Sequence, residues 1–254
     1  MPPGGVTFVL HRPSSAENIG AVARVLKNFG LARLVIVAPP SWTGLPRGGG
    51  PLTAREEVLL RARKTARRAG DVLEAAEVVP DLRRALSDAA WACGTTSREL
   101  PGRPQLDPRA LGAEVAARAR RGPVAIVLGE ERRGLSDREL TLCQAVCTIP
   151  TAAAYDSMNL AQAAAVLAYE IASAAPAREA AADPGEAPAR HATMEALWVR
   201  LSALLSAAGY LNPQNPEHIL ADWRRLLARA EPTQREVELL LAAARALERK
   251  LKLG

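Results

Sequence analysis

The chain has 254 residues, of which 48% are hydrophobic and 24% charged. That balance belongs to an ordinary globular protein and excludes overall disorder, and the length fits one large domain or one domain with a small appendage. Lys and Arg outnumber Asp and Glu by 33 to 27, a net charge of +6, which permits a polyanionic partner without requiring one.

The surplus is uneven. Residues 1–175 hold 22 basic and 17 acidic residues, and the remainder 11 and 10. Nearly all the cations are Arg, whose planar fork of donors suits phosphate. Cys93, Cys143 and Cys147 are odd in number and form no CxxC pair, so neither a disulfide framework nor a zinc site is expected, and a reducing cytoplasm is the default. The N-terminus lacks a signal-peptide pattern, and the most apolar window, Leu160–Ala175, contains Gln162 and Glu170 and is too short to span a bilayer.

In chain order, Thr7–Leu10 reads as a strand and Asn18–Phe29 as a helix stopped by Gly30, with Asn18 as its N-cap. Leu34–Ala38 reads as a buried strand, and the Gly/Pro-rich stretch 41–52 as a loop. Thr53-Ala-Arg-Glu56 is a capping box opening a basic helix to about Arg68. A short helix at Asp81–Leu86, a strand at Ala90–Gly94 and a helix at about Pro108–Arg121 follow. Val124–Leu128 is the clearest buried strand, Ser136-Asp-Arg-Glu139 a second capping box, Ala145–Ile149 a strand and Met158–Ala174 a long helix. Uniformly apolar strands alternating with helices predict an α/β domain around a parallel sheet. The Ala/Pro-rich stretch after it reads as a linker. Three helices follow, at about 193–208, 216–230 and 233–251, the second capped by Asn215 and the third opened by the box Thr233-Gln-Arg-Glu236. The expected division is 1–174, α/β domain; 175–192, linker; 193–254, helical extension.

Ligands of open α/β sheets bind beyond the carboxyl ends of the strands. No GxGxxG follows the first strand, and Gly129-Glu-Glu-Arg-Arg-Gly134 has P-loop glycine spacing but Leu135 where the lysine belongs. The three histidines are scattered and offer no metal site. Acid–base chemistry would fall to Arg, Glu, Ser, Asn or Tyr.

Three segments stand out. The first is Asn18-Ile-Gly-Ala-Val-Ala-Arg24, the second Leu128-Gly-Glu-Glu-Arg-Arg-Gly-Leu-Ser136, and the third Ile149-Pro-Thr-Ala-Ala-Ala-Tyr-Asp-Ser-Met-Asn-Leu160. In this order they resemble the SPOUT superfamily of RNA methyltransferases, in its TrmH (SpoU) branch. Cys93-Gly-Thr-Thr-Ser-Arg98, Gly209-Tyr-Leu-Asn-Pro213 and Trp223–Ala230 extend the likeness to the TrmJ subgroup, over nearly the whole chain apart from the linker.

The resemblance implies a SPOUT-type parallel sheet with a C-terminal deep trefoil knot, S-adenosylmethionine as cofactor, a homodimer with the site at its interface, and tRNA as substrate, methylated on a ribose 2′-hydroxyl at the first nucleotide of the anticodon loop. Ribosomal RNA, another tRNA position, or RNA binding without catalysis are the alternatives. By the same resemblance Arg24 approaches the hydroxyl, as a positioner first and a base second because guanidinium is too basic to start neutral. Asn18 fixes the ribose or Arg24; Glu131, or Glu130 if the loop is read one residue out, pairs with a catalytic arginine; Ser157 and Asn159 hold substrate or cofactor. Thr95, Thr96, Ser97, Leu128, Gly129, Ile149 and Met158 are the implied cofactor contacts, with Gly129 admitting the ligand close to the chain. Tyr155 contacts a ligand or only packs. Arg12, Arg98, Arg132 and Arg133 are the implied phosphate contacts, and the helix 55–68 is either a further one or a solvated face. Aromatics are 4% of the chain, so shape and backbone recognition of RNA is expected over base stacking.

Overall fold

Five-residue runs of apolar, largely β-branched side chains form strands buried on both faces, and such strands need helices on either side. The computed structural model describes residues 5–40, 53–100, 102–152, 158–174, 187–211 and 216–251; the expected 41–52 loop, Tyr155, Ser157 and the Asn215 cap lie outside them. Two compact units emerge, one of residues 1–86 and 91–180, the other of residues 87–90 and 181–254.

The larger unit begins with β1 (Val6–His11), α1 (Ala16–Asn28), β2 (Arg33–Val37), α2 (Ala54–Ala66), α3 (Gly70–Glu74), β3 (Glu77–Val79) and α4 (Leu82–Leu86). It continues with β4 (Trp91–Thr95), β5 (Gln105–Leu106), α5 (Pro108–Arg118), β6 (Val124–Leu128), α6 (Asp137–Leu140), β7 (Ala145–Cys147) and α7 (Leu160–Ser173). The seven strands make one parallel sheet in the order β3-β2-β1-β6-β4-β7-β5. Its core runs through Phe8, Leu10, Ile36, Ile126 and Leu128 to Ile19 and Leu26 of α1 and Leu167 of α7. Register places Leu10 opposite Leu128, and Thr95 opposite Cys147, so β1, β6, β4 and β7 deliver their carboxyl ends to one rim.

Both expected capping boxes of this unit are present. Thr53 with Glu56 opens α2, and Ser136 with Glu139 opens α6. The first helix differs from expectation. Ser15 caps it, accepting the Asn18 N–H at 3.3 Å, so Asn18 lies within the first turn. Ser15 lies three residues before Asn18, at the spacing a capping hydroxyl needs, and so opens the helix ahead of it. Asn159, by accepting the Ala161 N–H at 2.9 Å, caps α7.

The smaller unit holds α8 (His191–Ala207), α9 (Pro216–Ala230) and α10 (Gln234–Leu251). Leu197, Val237 and Leu241 form its core with Ala189. The Thr233–Glu236 box is formed in both directions, at 2.7 and 3.2 Å, and Pro188 bridges to Thr233.

Candidate functional site

The rim at the ends of β1, β4, β6 and β7 carries the three motif segments. A cavity of about 310 Å³ opens there, and Thr95, Thr96, Ser97, Leu128, Gly129, Ile149 and Met158 all line it. Glu131, Arg98, Arg132 and Arg133 line it too, together with Leu135, Thr151, Leu160 and Ala163. Of these last four, Ala163 alone lies outside the three motif segments.

The loop after β6 folds back on itself. Gly134 N–H donates to Glu130 O at 2.9 Å, and a Cβ on Gly129 would come within 2.5 Å of the Leu135 N. The glycine expected to admit a ligand thus first admits the returning backbone of its own loop. Arg98, expected on RNA phosphate, also bonds within the chain beside the cavity. Its guanidinium donates to Leu135 O at 2.9 Å and pairs with Asp137 at 2.8 Å, tying the segment after β4 to that after β6. Arg132 and Arg133 remain exposed. Arg12, also exposed, stands at φ 53° just beyond β1.

Beside the cavity, side chains from all three segments meet. Asn18 Nδ2 donates to Glu131 Oε1 at 2.7 Å, and Asn159 Nδ2 donates to Asn18 Oδ1 at 3.1 Å. Asn159 Oδ1 in turn receives the Ala161 N–H. The second oxygen of Glu131 accepts the Ser14 N–H at 2.9 Å. Burial pushes the Glu131 carboxyl up, but the Asn18 and Ser14 donors outweigh it and hold the group below the usual carboxylate range. The cluster is therefore an ionised acid held by the Asn18 amide and the Ser14 N–H, with Asn159 orienting Asn18 from its other end.

His11 braces the same loop from β1. Its buried ring donates from Nε2 to the ionised Glu139 Oε1 at 2.6 Å, while Glu139 Oε2 accepts the Ser136 N–H at 2.7 Å. Sequence reading passed over this histidine, since a lone histidine ending an apolar strand carries no spacing signal.

Arg24 is not part of the cluster. It is six residues beyond Asn18, about 240° around α1, exposed, and borders a different cavity. Within one chain Glu131 meets Asn18, not an arginine. Among the described residues no group of His, Cys, Asp and Glu could hold a metal ion, and no helix is long and apolar enough to cross a membrane. The three cysteines are free and buried, with burial pushing Cys143 and Cys147 up to about 12, so none is a nucleophile at neutral pH.

Comparison with known proteins places these features. The SpoU rRNA Methylase family matches residues 5–169, and the C-terminal domain of tRNA methyltransferase TrmJ matches residues 192–254. A tRNA (cytidine/uridine-2′-O-)-methyltransferase TrmJ of Yersinia enterocolitica is 34% identical, over 97% of this chain and 93% of its own. The protein of that name from Klebsiella pneumoniae is also 34% identical, over 97% and 98%. Among solved structures, TrmJ from Z. mobilis superposes with a TM-score of 0.77 at 30% identity, covering 95% of this chain and 98% of that one. A putative methylase family protein from Neisseria gonorrhoeae gives 0.67 at 34%, covering 78% and 94%.

Proposed function

The chain belongs to the SpoU methylase family, in its TrmJ branch, and from that premise we propose that it is an S-adenosylmethionine-dependent tRNA ribose 2′-O-methyltransferase acting on cytidine or uridine at the first position of the anticodon loop. The observation that carries the reading is the Glu131–Asn18–Asn159 cluster beside a cavity lined by all seven expected cofactor contacts.

The cavity suits the cofactor. Its volume falls at the low end of ligand sites, which begin at about 300 Å³. Leu128, Ile149, Met158 and Leu160 supply an apolar wall, and Thr95, Thr96 and Ser97 a polar one. When bound, S-adenosylmethionine supplies a methyl group already activated on a sulfonium. The chain's task is then to deprotonate and align a weakly acidic hydroxyl and to keep water out. In this proposal Asn159 and Asn18 orient the ribose, and ionised Glu131 fixes Asn18. Ser157 is assigned to holding substrate or cofactor. Arg24 serves the site of a partner copy, which accounts for its position away from its own chain's cavity and makes the homodimer the working unit. A deep trefoil knot at the C-terminal end of the α/β domain belongs to the same proposal, as do the boundaries 1–174, 175–192 and 193–254 and a cytoplasmic location. Arg12, Arg98, Arg132 and Arg133 track the RNA backbone beside the cavity.

The test is mass spectrometry of nuclease fragments of unmodified tRNA incubated with enzyme and cofactor. The expected result is one added methyl on the ribose of the first anticodon-loop nucleotide. Methylation elsewhere in tRNA, or of ribosomal RNA alone, overturns the position. Cofactor and tRNA binding without transfer reduces the chain to an RNA-binding protein.

A further inference from the structure

A second cavity, of about 590 Å³, lies between α1 and the turn leaving α2, lined by Arg24, Lys27, Asn28, Arg67, Arg68 and Ala69. It shares no residue with the first. Its four cations are not equivalent. Lys27 is engaged: Nζ reaches Asp71 at 2.7 Å and donates to Arg68 O at 2.8 Å, so it pins the turn to α1. Arg24, Arg67 and Arg68 are exposed and have no acid within ion-pair distance among the described residues. Their neighbours on α2 contrast with them, since Arg61 pairs with Glu57 at 3.2 Å and Arg63 with Glu74 at 3.7 Å.

The backbone adds an independent observation. Arg67 sits at φ 52°, ψ −116°, in a turn closed by Ala69 N–H donating to Ala66 O at 2.9 Å. That is the first central position of a type II′ turn, a place dominated by glycine. An arginine kept where glycine is at ease stores strain, and such strain collects at functional positions.

We propose that this cavity is a binding site for RNA backbone phosphates, with Arg67 and Arg68 as the principal ligands. Unanswered guanidinium groups facing one concavity repel each other until an anion is shared between them, and their donor forks match phosphate oxygens in pairs. The lining has no aromatic ring, so it offers nothing for a base to stack on and reads the backbone. Arg24 at its edge connects the site to the reacting ribose. The inference rests on the tRNA methyltransferase reading.

The experiment measures binding of a tRNA transcript to the full chain across a salt series, for wild type, the Arg67→Gln/Arg68→Gln double variant, Arg67→Gly, and Arg61→Gln as a paired-arginine control. The double variant should bind tRNA about tenfold more weakly or worse and lower the slope of log K against log salt by about 1.4, as for two lost phosphate contacts. It should raise KM for tRNA, while kcat and the calorimetric affinity for S-adenosylmethionine hold. Arg67→Gly should melt at a higher temperature and yet bind tRNA more weakly, which separates ligand loss from a folding defect. Arg61→Gln should leave the slope unchanged. An unchanged slope and affinity in the double variant overturns the site, and so does calorimetric binding of inorganic phosphate there with tRNA binding unaffected. If wild type binds tRNA without methylating it, the enzymatic reading fails while the slopes still decide this site. If it binds no RNA, both fall.

Discussion

Asn18 and Glu131 meet at 2.7 Å across 113 residues of chain, the amide of the first helix donating to an acid on the loop after β6. Asn18 also accepts from Asn159, so one side chain joins all three motif segments. Asn18→Ala should cut methyl transfer about 10²-fold, the scale of a small misplacement of reacting groups, with S-adenosylmethionine affinity nearly unchanged. Transfer of a labelled methyl group to tRNA checks this, and wild-type turnover would remove Asn18 from the machinery.

Arg24→Ala should abolish transfer while leaving cofactor binding intact. If Arg24 serves a partner's site, equal mixing of Arg24→Ala and Asn159→Ala chains should restore roughly a quarter of wild-type activity, because half the dimers are mixed and each mixed dimer has one whole site. No recovery after subunit exchange would place Arg24 in its own chain's site.

Arg98 lines the cavity and holds Leu135 O and Asp137. Arg98→Met removes the latch but keeps much of the stem. Calorimetry should show S-adenosylmethionine binding weakened about tenfold, the equivalent of one charge-assisted hydrogen bond at about 1.4 kcal/mol. If Arg98 contacts RNA alone, cofactor affinity will not move.

Gly129 and Gly134 part company on substitution. An alanine at 129 would run into the Gly134 and Leu135 backbone, and such overpacking costs about 1–3 kcal/mol. An alanine at 134 meets nothing within 4 Å but must hold φ 64°, a cost of about 1 kcal/mol. Urea unfolding of the two variants should show Gly129→Ala as the more damaging, with weaker cofactor binding besides.

Acid should loosen the same loop. Burial raises Glu131 and Glu139, but hydrogen bonds from Asn18 and Ser14 to the first, and from Ser136 to the second, set both below their ordinary 4.5. The folded state thus holds these carboxylates ionised more firmly than the unfolded chain does. Their contribution is complete above about pH 4.5 and is lost as the pH falls through their native values. Glu131→Gln and Glu139→Gln should each flatten the fall in stability below that pH, as followed by thermal melting across a pH series.

Much of the sheet was legible because parallel strands announce themselves. Leu34–Ala38 and Val124–Leu128 are unbroken apolar runs, and the sheet has β2 and β6 there. The misses are strands that burial does not shape: β3 begins with exposed Glu77, and β5 is two residues long at the sheet edge. α3 opens on Gly70 with no capping side chain, so no start signal exists. At the site, the sequence offers both Ser15 and Asn18 as good capping residues, spacing alone does not rank them, and the structure uses Ser15. The cavity wall at Ala163 is invisible in the sequence, since that side chain serves only through where its helix carries it. The Arg67–Arg68 turn was hidden inside a basic helix, and only a backbone angle distinguishes it.

Strand β1 lies between β2 and β6, and that placement has a cost in time. One edge of Val6–His11 finds its partner within the first forty residues, but the other must wait for Val124–Leu128. At the ribosome's about 5–20 residues per second, an apolar edge stands open for roughly six to twenty seconds, the interval in which parallel pairings across long separations are slow to form and prone to intermolecular capture. Shielding that edge during synthesis, by slower initiation or added chaperone, should therefore raise the recovered fraction without altering the native molecule.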